Sequence, residues 1–171
     1  MQPKIYLLLL AILLATVNIF AQTAPPGADE KPNTYPHGAQ AIYVELGGNG
    51  LFLSANYDFR FTKSQKGFGM RLGVGFFGGT IIVPVGINHL AGKAPNYFES
   101  GIGITYLKYT GNDNLFFKSG SSGVALLPSI GYRYQPEHKG FFGRIAISPL
   151  IDLEKGGRWF PWAGIGLGYK F

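Results

Sequence analysis

Three observations predict that this 171-residue chain is all-β: a closed, antiparallel, eight-stranded up-and-down barrel that spans a membrane. Apolar residues recur at every second position in eight segments separated by turn residues, the period of a β-strand. Charge is scarce, at 14% of residues against about 25% in ordinary soluble domains, while aromatics reach 15%. The last segment, RWFPWAGIGLGYKF, ends on an aromatic with one face wholly apolar (Trp159, Pro161, Ala163, Ile165, Leu167, Tyr169, Phe171) and glycines and Lys170 on the other. In a soluble sheet the apolar face turns inward, and in a membrane barrel it turns outward to lipid. A chain so poor in charge covers its surface more readily with lipid than with water.

The elements follow in chain order. Residues 1–21 hold Lys4, an apolar run from Ile5 and a small residue, Ala21, which reads as a secretory signal peptide cut at Ala21 or Ala24. Residues 22–37 are proline-rich and aperiodic, a flexible periplasmic lead-in. Residues 38–171 form the barrel, with strands expected near 38–48, 50–62, 67–77, 79–90, 96–109, 122–135, 140–153 and 158–171. Each is long enough to cross a bilayer when tilted, which takes about 9–11 residues. No cysteine is present, so neither a disulfide framework nor a cysteine-borne lipid anchor stabilises or tethers the chain.

Charges separate the two faces. Glu45, Asp58, Arg60, Arg71, Glu99, Arg133, Arg144, Asp152 and Lys170 all fall opposite the apolar face, and together they make an expected lumen charge network. Lys108 and His89 are the exceptions, both near strand ends. A lipid-facing Arg or Lys at the bilayer midplane costs about 2–4 kcal/mol, so this segregation fits a barrel whose outside is apolar. If Phe61 lies opposite Phe68, then Asp58 faces Arg71 across the ladder and the two pair, with Glu99 as the other candidate partner. Phe52, Tyr97, Leu107, Phe142, Phe160 and Trp162 are expected to join them inside.

Aromatics on the apolar face gather at the end that holds the termini, among them Tyr57, Phe59, Phe61, Phe68, Tyr132, Tyr134 and Phe141. They read as a girdle at one membrane interface. Pro84, Pro128, Pro149 and Pro161 fall inside strands, where a missing N–H predicts bulges.

From about residue 38 to the end, the chain resembles the small eight-stranded outer-membrane β-barrel proteins of diderm bacteria. The likeness is most specific at Ile165, Leu167, Tyr169 and the final Phe171. In that family such a strand is the signal read by the barrel-assembly machinery. The segment VPVGINHLAGKAPNYFESGIGITY also resembles a strand–turn–strand of uncharacterised members of the broader outer-membrane β-barrel superfamily. The resemblance implies a bacterial outer-membrane location, with outer-membrane lipid and the assembly machinery as partners, and an even strand number puts both barrel termini on the periplasmic side.

The function expected is structural or surface-interacting, with the lumen filled by side chains, no catalysis and no cofactor. The alternatives are a narrow passage or binding cavity for a small solute or lipid, opened by luminal glycines, and a barrel enzyme modifying lipid A. Catalysis would need a histidine beside Ser54, Ser129 or Ser148, yet His37, His89 and His138 are all expected off the lumen. No metal-ligand spacing occurs. The net charge of +6 is dispersed, without the basic runs of a nucleic-acid binder. Three connections at the end away from the termini are short (GGNG, FFGGT, EKGG), and only 110–123, with Phe116 and Phe117, is long enough to recognise an extracellular partner.

Overall fold

The computed structural model describes residues 38–112, 119–153 and 157–171. The expected signal peptide and lead-in, and Phe116 and Phe117 of the long loop, lie outside them. The strands are β1 (Gln40–Gly47), β2 (Leu53–Arg60), β3 (Gly67–Phe77), β4 (Thr80–Lys93), β5 (Asn96–Tyr109), β6 (Ser122–Tyr134), β7 (Gly140–Ile147), β8 (Leu150–Asp152), β9 (Trp159–Phe160) and β10 (Ala163–Lys170). A 3-10 turn, Gly48–Gly50, joins β1 to β2. Segments β7 and β8 make up one barrel strand, and β9 and β10 another, so ten segments build eight staves. All pairings are antiparallel between neighbours in the chain, and β1 against β10 closes the ring.

Alternation decides which face is which. Ile42, Val44 and Leu46 of β1 point outward and are more than half exposed, while Ala41, Tyr43 and Glu45 between them are buried. The same rule runs round the ring, and Ile145 and Ile147 are 57% and 61% exposed. The outside is therefore a continuous apolar band. Lys108 is exposed near one end of it, and His89 lies outside, its ring 4.7 Å from that of Phe68.

Aromatics ring both ends of the outer face. Phe61, Phe68, Phe98, Tyr132, Tyr134, Phe141 and Tyr169 are exposed at the end with the termini. The alternation alone did not reveal the second ring, at the distal end: Phe76, Phe77, Tyr106, Trp159 and Phe160. Membrane barrels carry such girdles at both interfaces. Two residues expected inside belong here instead. Phe160 is 50% exposed, and Phe52 lies in the distal turn, stacked on Phe77 at 4.4 Å.

The strand prolines do not make bulges. Pro128, Pro149 and Pro161 stand in one row across three adjacent staves, and the ladder is interrupted there. Pairing resumes beyond the gap in the same register: Ile130 faces Ile147 before it and Leu126 faces Ile151 after it. Pro84 interrupts the β3–β4 ladder in the same way, between the Leu72–Val85 and Gly75–Ile82 pairs. A proline removes one donor without adding a residue, so a gap loses hydrogen bonds but leaves the alternation of faces intact.

The apolar band makes a quantitative prediction. Ile104→Arg, in the middle of β5 on the outer face, is expected to lower stability in liposomes by about 2–4 kcal/mol. Urea titration of the folded barrel measures it, and an unchanged midpoint would mean that this face does not meet lipid.

Candidate functional site

The lumen is the one place where the strands bring many ionisable groups together. Every second residue of each stave points inward, and eight staves leave room for little beyond side chains. Glu45, Asp58, Arg60, Arg71, Glu99, Arg133, Arg144 and Lys170 are all 3% exposed or less. Asp152, grouped with them by the alternation, is only half-buried near the distal rim.

Seven of these side chains form an alternating row. Asp58 accepts from Arg60 at 2.5 Å and, through both oxygens, from Arg133 at 2.9 and 3.0 Å. Arg133 also donates to Glu99 at 2.7 Å, and Glu99 accepts from Arg144 at 3.1 Å. Arg144 continues to Glu45, and Glu45 lies 3.7 Å from Arg71. Asn88 supports one end, donating to Asp58 and accepting from Arg60. Tyr43 supports the other, with its hydroxyl accepting from Arg71 at 3.1 Å. The guanidinium of Arg133 also lies 4.9 Å from the Phe142 ring centre, adding a cation–π contact.

The expected Asp58–Arg71 ion pair does not form, although the register behind it does: Phe61 donates its N–H to Phe68, and Asp58 stands opposite Arg71. The reason is the width of the lumen. Arg60, two residues along the same face, and Arg133, reaching across from the far wall, occupy the Asp58 carboxylate. Glu99, the other candidate, is held by Arg133 and Arg144. Arg71 is left with Tyr43 and the longer approach to Glu45.

Backbone groups from the turns meet luminal side chains at both ends of the barrel. At the end with the termini, Lys170 donates to the carbonyls of Pro136, Glu137 and His138 at 2.7–3.3 Å. Gln65, from the β2–β3 turn, donates to the Glu137 carbonyl at 2.8 Å. At the distal end the GGNG connection, expected to be a short turn, is folded into the barrel mouth, with Gly48, Asn49 and Gly50 all buried. Gly47 and Gly48 take positive φ angles of 75° and 57°, which this sharp entry requires. Thr105 donates to the Asn49 carbonyl at 2.6 Å, and Gly50 donates its N–H to Glu45 at 3.3 Å. Gly103 leaves the room: a Cβ there would lie 1.9 Å from the Asn49 side-chain nitrogen. Leu51, Ala125 and Leu127 pack beside the turn with Leu107, Leu150 and Trp162. Nothing in a GGNG stretch distinguishes a tucked turn from an exposed one; the trace it leaves is the pair of small residues facing it, Gly103 and Gly86.

The residues considered for catalysis are dispersed. The Ser54 hydroxyl accepts from the Asn56 amide at 2.8 Å, whereas the hydroxyls of Ser129 and Ser148 are buried without a hydrogen-bond partner. His89 is outside the barrel, and His138 lies exposed in the β6–β7 turn. Among the described residues no group of three or more His, Cys, Asp or Glu is placed to hold a metal. Ile165, Leu167, Tyr169 and Phe171 all lie on the exposed outer face, and Phe171 donates its N–H to the Gln40 carbonyl at 3.0 Å.

No family model and no curated protein matches the chain. Among solved structures it is similar to the N-terminal β-barrel domain of Pseudomonas aeruginosa OprF, at 16% identity and a TM-score of 0.55, over 78% of this chain and 96% of that one. At that identity the likeness is one of fold, a β-barrel, which in this chain is closed, antiparallel and eight-stranded.

Position in the row sets the expected cost of each substitution. Removing one partner of a buried pair costs about 3–5 kcal/mol. Arg133→Gln leaves two carboxylates short of a cation and is expected near the top of that range, whereas Arg71→Gln, at the end of the row, loses less. Equal losses in urea unfolding would refute the row as drawn. Gly103→Val is expected to destabilise the barrel by expelling Asn49 from the mouth, detected as new protease cleavage in the β1–β2 turn.

Proposed function

We propose that the chain is an integral bacterial outer-membrane protein with a structural or surface-interacting role, both barrel termini periplasmic, and no catalytic turnover. The observation that carries this reading is the contrast between the two faces. Apolar side chains cover the outside around the ring, while buried ion pairs and turn backbone meet on the inside. Water is a poor solvent for such an outside, and lipid a good one. Tyr109 and Ser122, which flank the longest connection between strands, stand at the end opposite the barrel termini, in keeping with the long extracellular loops and short periplasmic turns of outer-membrane barrels.

A narrow passage is the second reading. Buried polar atoms without partners in the lumen, at Asn49, Asn56, Ser129 and Ser148, mark places where water would be at home. Planar-bilayer recording of the purified barrel separates the two: silence is expected, and steady discrete conductance would favour the passage. A parallel assay of lipid A addresses the enzyme, since altered lipid would overturn the non-catalytic reading.

The C-terminal strand serves, in this proposal, as the contact for the barrel-assembly machinery. Phe171→Ala is expected to cut outer-membrane insertion in cells while leaving refolding into detergent nearly unchanged. Equal loss in both assays would assign Phe171 to stability alone.

A further inference from the structure

The distal rim of the barrel is uneven. The β1–β2 hairpin is short: Leu46 pairs with Leu53, and Gly47 with Gly164, before the chain turns into the mouth. On either side the wall continues, to Phe77 at the end of β3 and to Trp159 at the start of β9. Beyond Gly75 and Gly164 these staves have no ladder partner on the hairpin side. The result is a notch, a groove of about 1140 Å³. Clefts that hold small apolar ligands run to about 300–1,000 Å³, so the space is ample for a chain.

The lining crosses the wall. Leu46, Ile147 and Ile165 belong to the outer face, whereas Leu51, Trp162 and Gly164 face the lumen side, and no lining residue is charged or carries a side-chain oxygen. Trp162 stands at the junction. It packs on the Leu51–Ala125–Leu127 cluster and meets Phe52 edge-on at 6.5 Å. Its indole nitrogen is buried without an acceptor. Pro161 and Pro149 weaken the wall beside it, where one hydrogen bond, Ser148 N–H to the Trp162 carbonyl at 2.8 Å, crosses the gap.

We propose that this notch seats an acyl chain of a membrane lipid, which enters from the outer face and reaches Trp162. The inference rests on the membrane reading above. The groove is continuous with the apolar band, so a hydrocarbon chain can enter it without leaving an apolar surface. The lining offers no charged group and no side-chain oxygen, so it suits hydrocarbon, and the surrounding bilayer supplies a hydrocarbon chain wherever the notch opens on the outer face.

The chain has two tryptophans, which makes the test direct. Each is left alone in turn, by Trp159→Phe or Trp162→Phe, and the barrel is folded into vesicles of phosphatidylcholine brominated on its acyl chains. Trp159, exposed on the outer face, reports contact with the bilayer. Trp162 is expected to lose a comparable share of its fluorescence, and Ala163→Phe, which fills the notch from its exposed side, is expected to restore it. Quenching of Trp159 but not Trp162 would overturn the proposal and leave the membrane reading standing, while quenching of neither would remove both. Quenching of Trp162 by aqueous iodide instead of by brominated lipid would mean a water-filled notch and overturn the proposal. Bromolipid quenching that falls as the protein-to-lipid ratio rises would give the notch to a second copy, and the acyl-chain proposal would fall with it.

Discussion

Arg133 on β6 holds Glu99 on the neighbouring β5 and reaches across the lumen to Asp58 on β2, so one side chain ties opposite walls together. The rest of the lumen is arranged around it. Arg133 stands directly opposite Arg144 on the β6–β7 ladder, a like-charge pair that would ordinarily repel. Glu99 lies between them and accepts from both, so the repulsion becomes a bridge. In a wider barrel water would separate these charges. With eight staves they are forced within reach of one another.

Buried ion pairs seldom stabilise more than hydrocarbon of the same volume, because desolvation offsets the attraction. Their use here is in specification. Sliding one stave by a single residue exchanges its faces, sending Arg133 or Arg144 outward and Ile130 or Ile145 inward. Toward lipid that exchange costs several kcal/mol per charge near the midplane, and it also strands the partners left inside. The charge row and the apolar band thus define a single register between them. Turns meet the lumen at both ends: Lys170 has backbone carbonyls as acceptors, and Asn49 is brought in on a turn whose glycines permit the bend.

How much of this was legible depended on distance along the chain. Alternation is local, so the outward Ile145 and Leu167 and the inward Glu45 and Arg144 could be read directly. The strands Gly67–Phe77 and Asn96–Tyr109 have the limits expected of them. The β2–β3 register was also within reach, because the turn is short and Phe61 and Phe68 flank it. Partner choice across the lumen was not. Asp58 selects Arg133, 75 residues away, over the cross-strand Arg71, and only closure of the ring brings that competitor close. The tucked Gly48–Gly50 turn was hidden for the same reason, since its room is made by Gly103 on β5. Phe52 falls just past the point where the β1–β2 ladder ends, and Phe160, still paired with Leu150, stands at the rim where the wall has no neighbour on its other side, so in both the alternation no longer decides burial.

The prolines show the same division between local and global. Taken singly, Pro128, Pro149 and Pro161 each argue against a central strand. Placed in one row, they cost the sheet less than they would apart, because the lost donors fall at shared gaps and the surrounding ladders keep their register. Pro84 is accommodated differently: it faces the lumen opposite Gly73, where a Cβ would come within 2.9 Å of the proline ring. The two borders of the proline row differ: on one side the long stave β5 pairs without a break past Pro128, which faces Ile102, and on the other the short β1 stops pairing with β10 at Gly164, just short of Pro161. The wall is therefore continuous on the first side and thin on the second, and that asymmetry follows from where the chain turns away at Gly47 and Gly48.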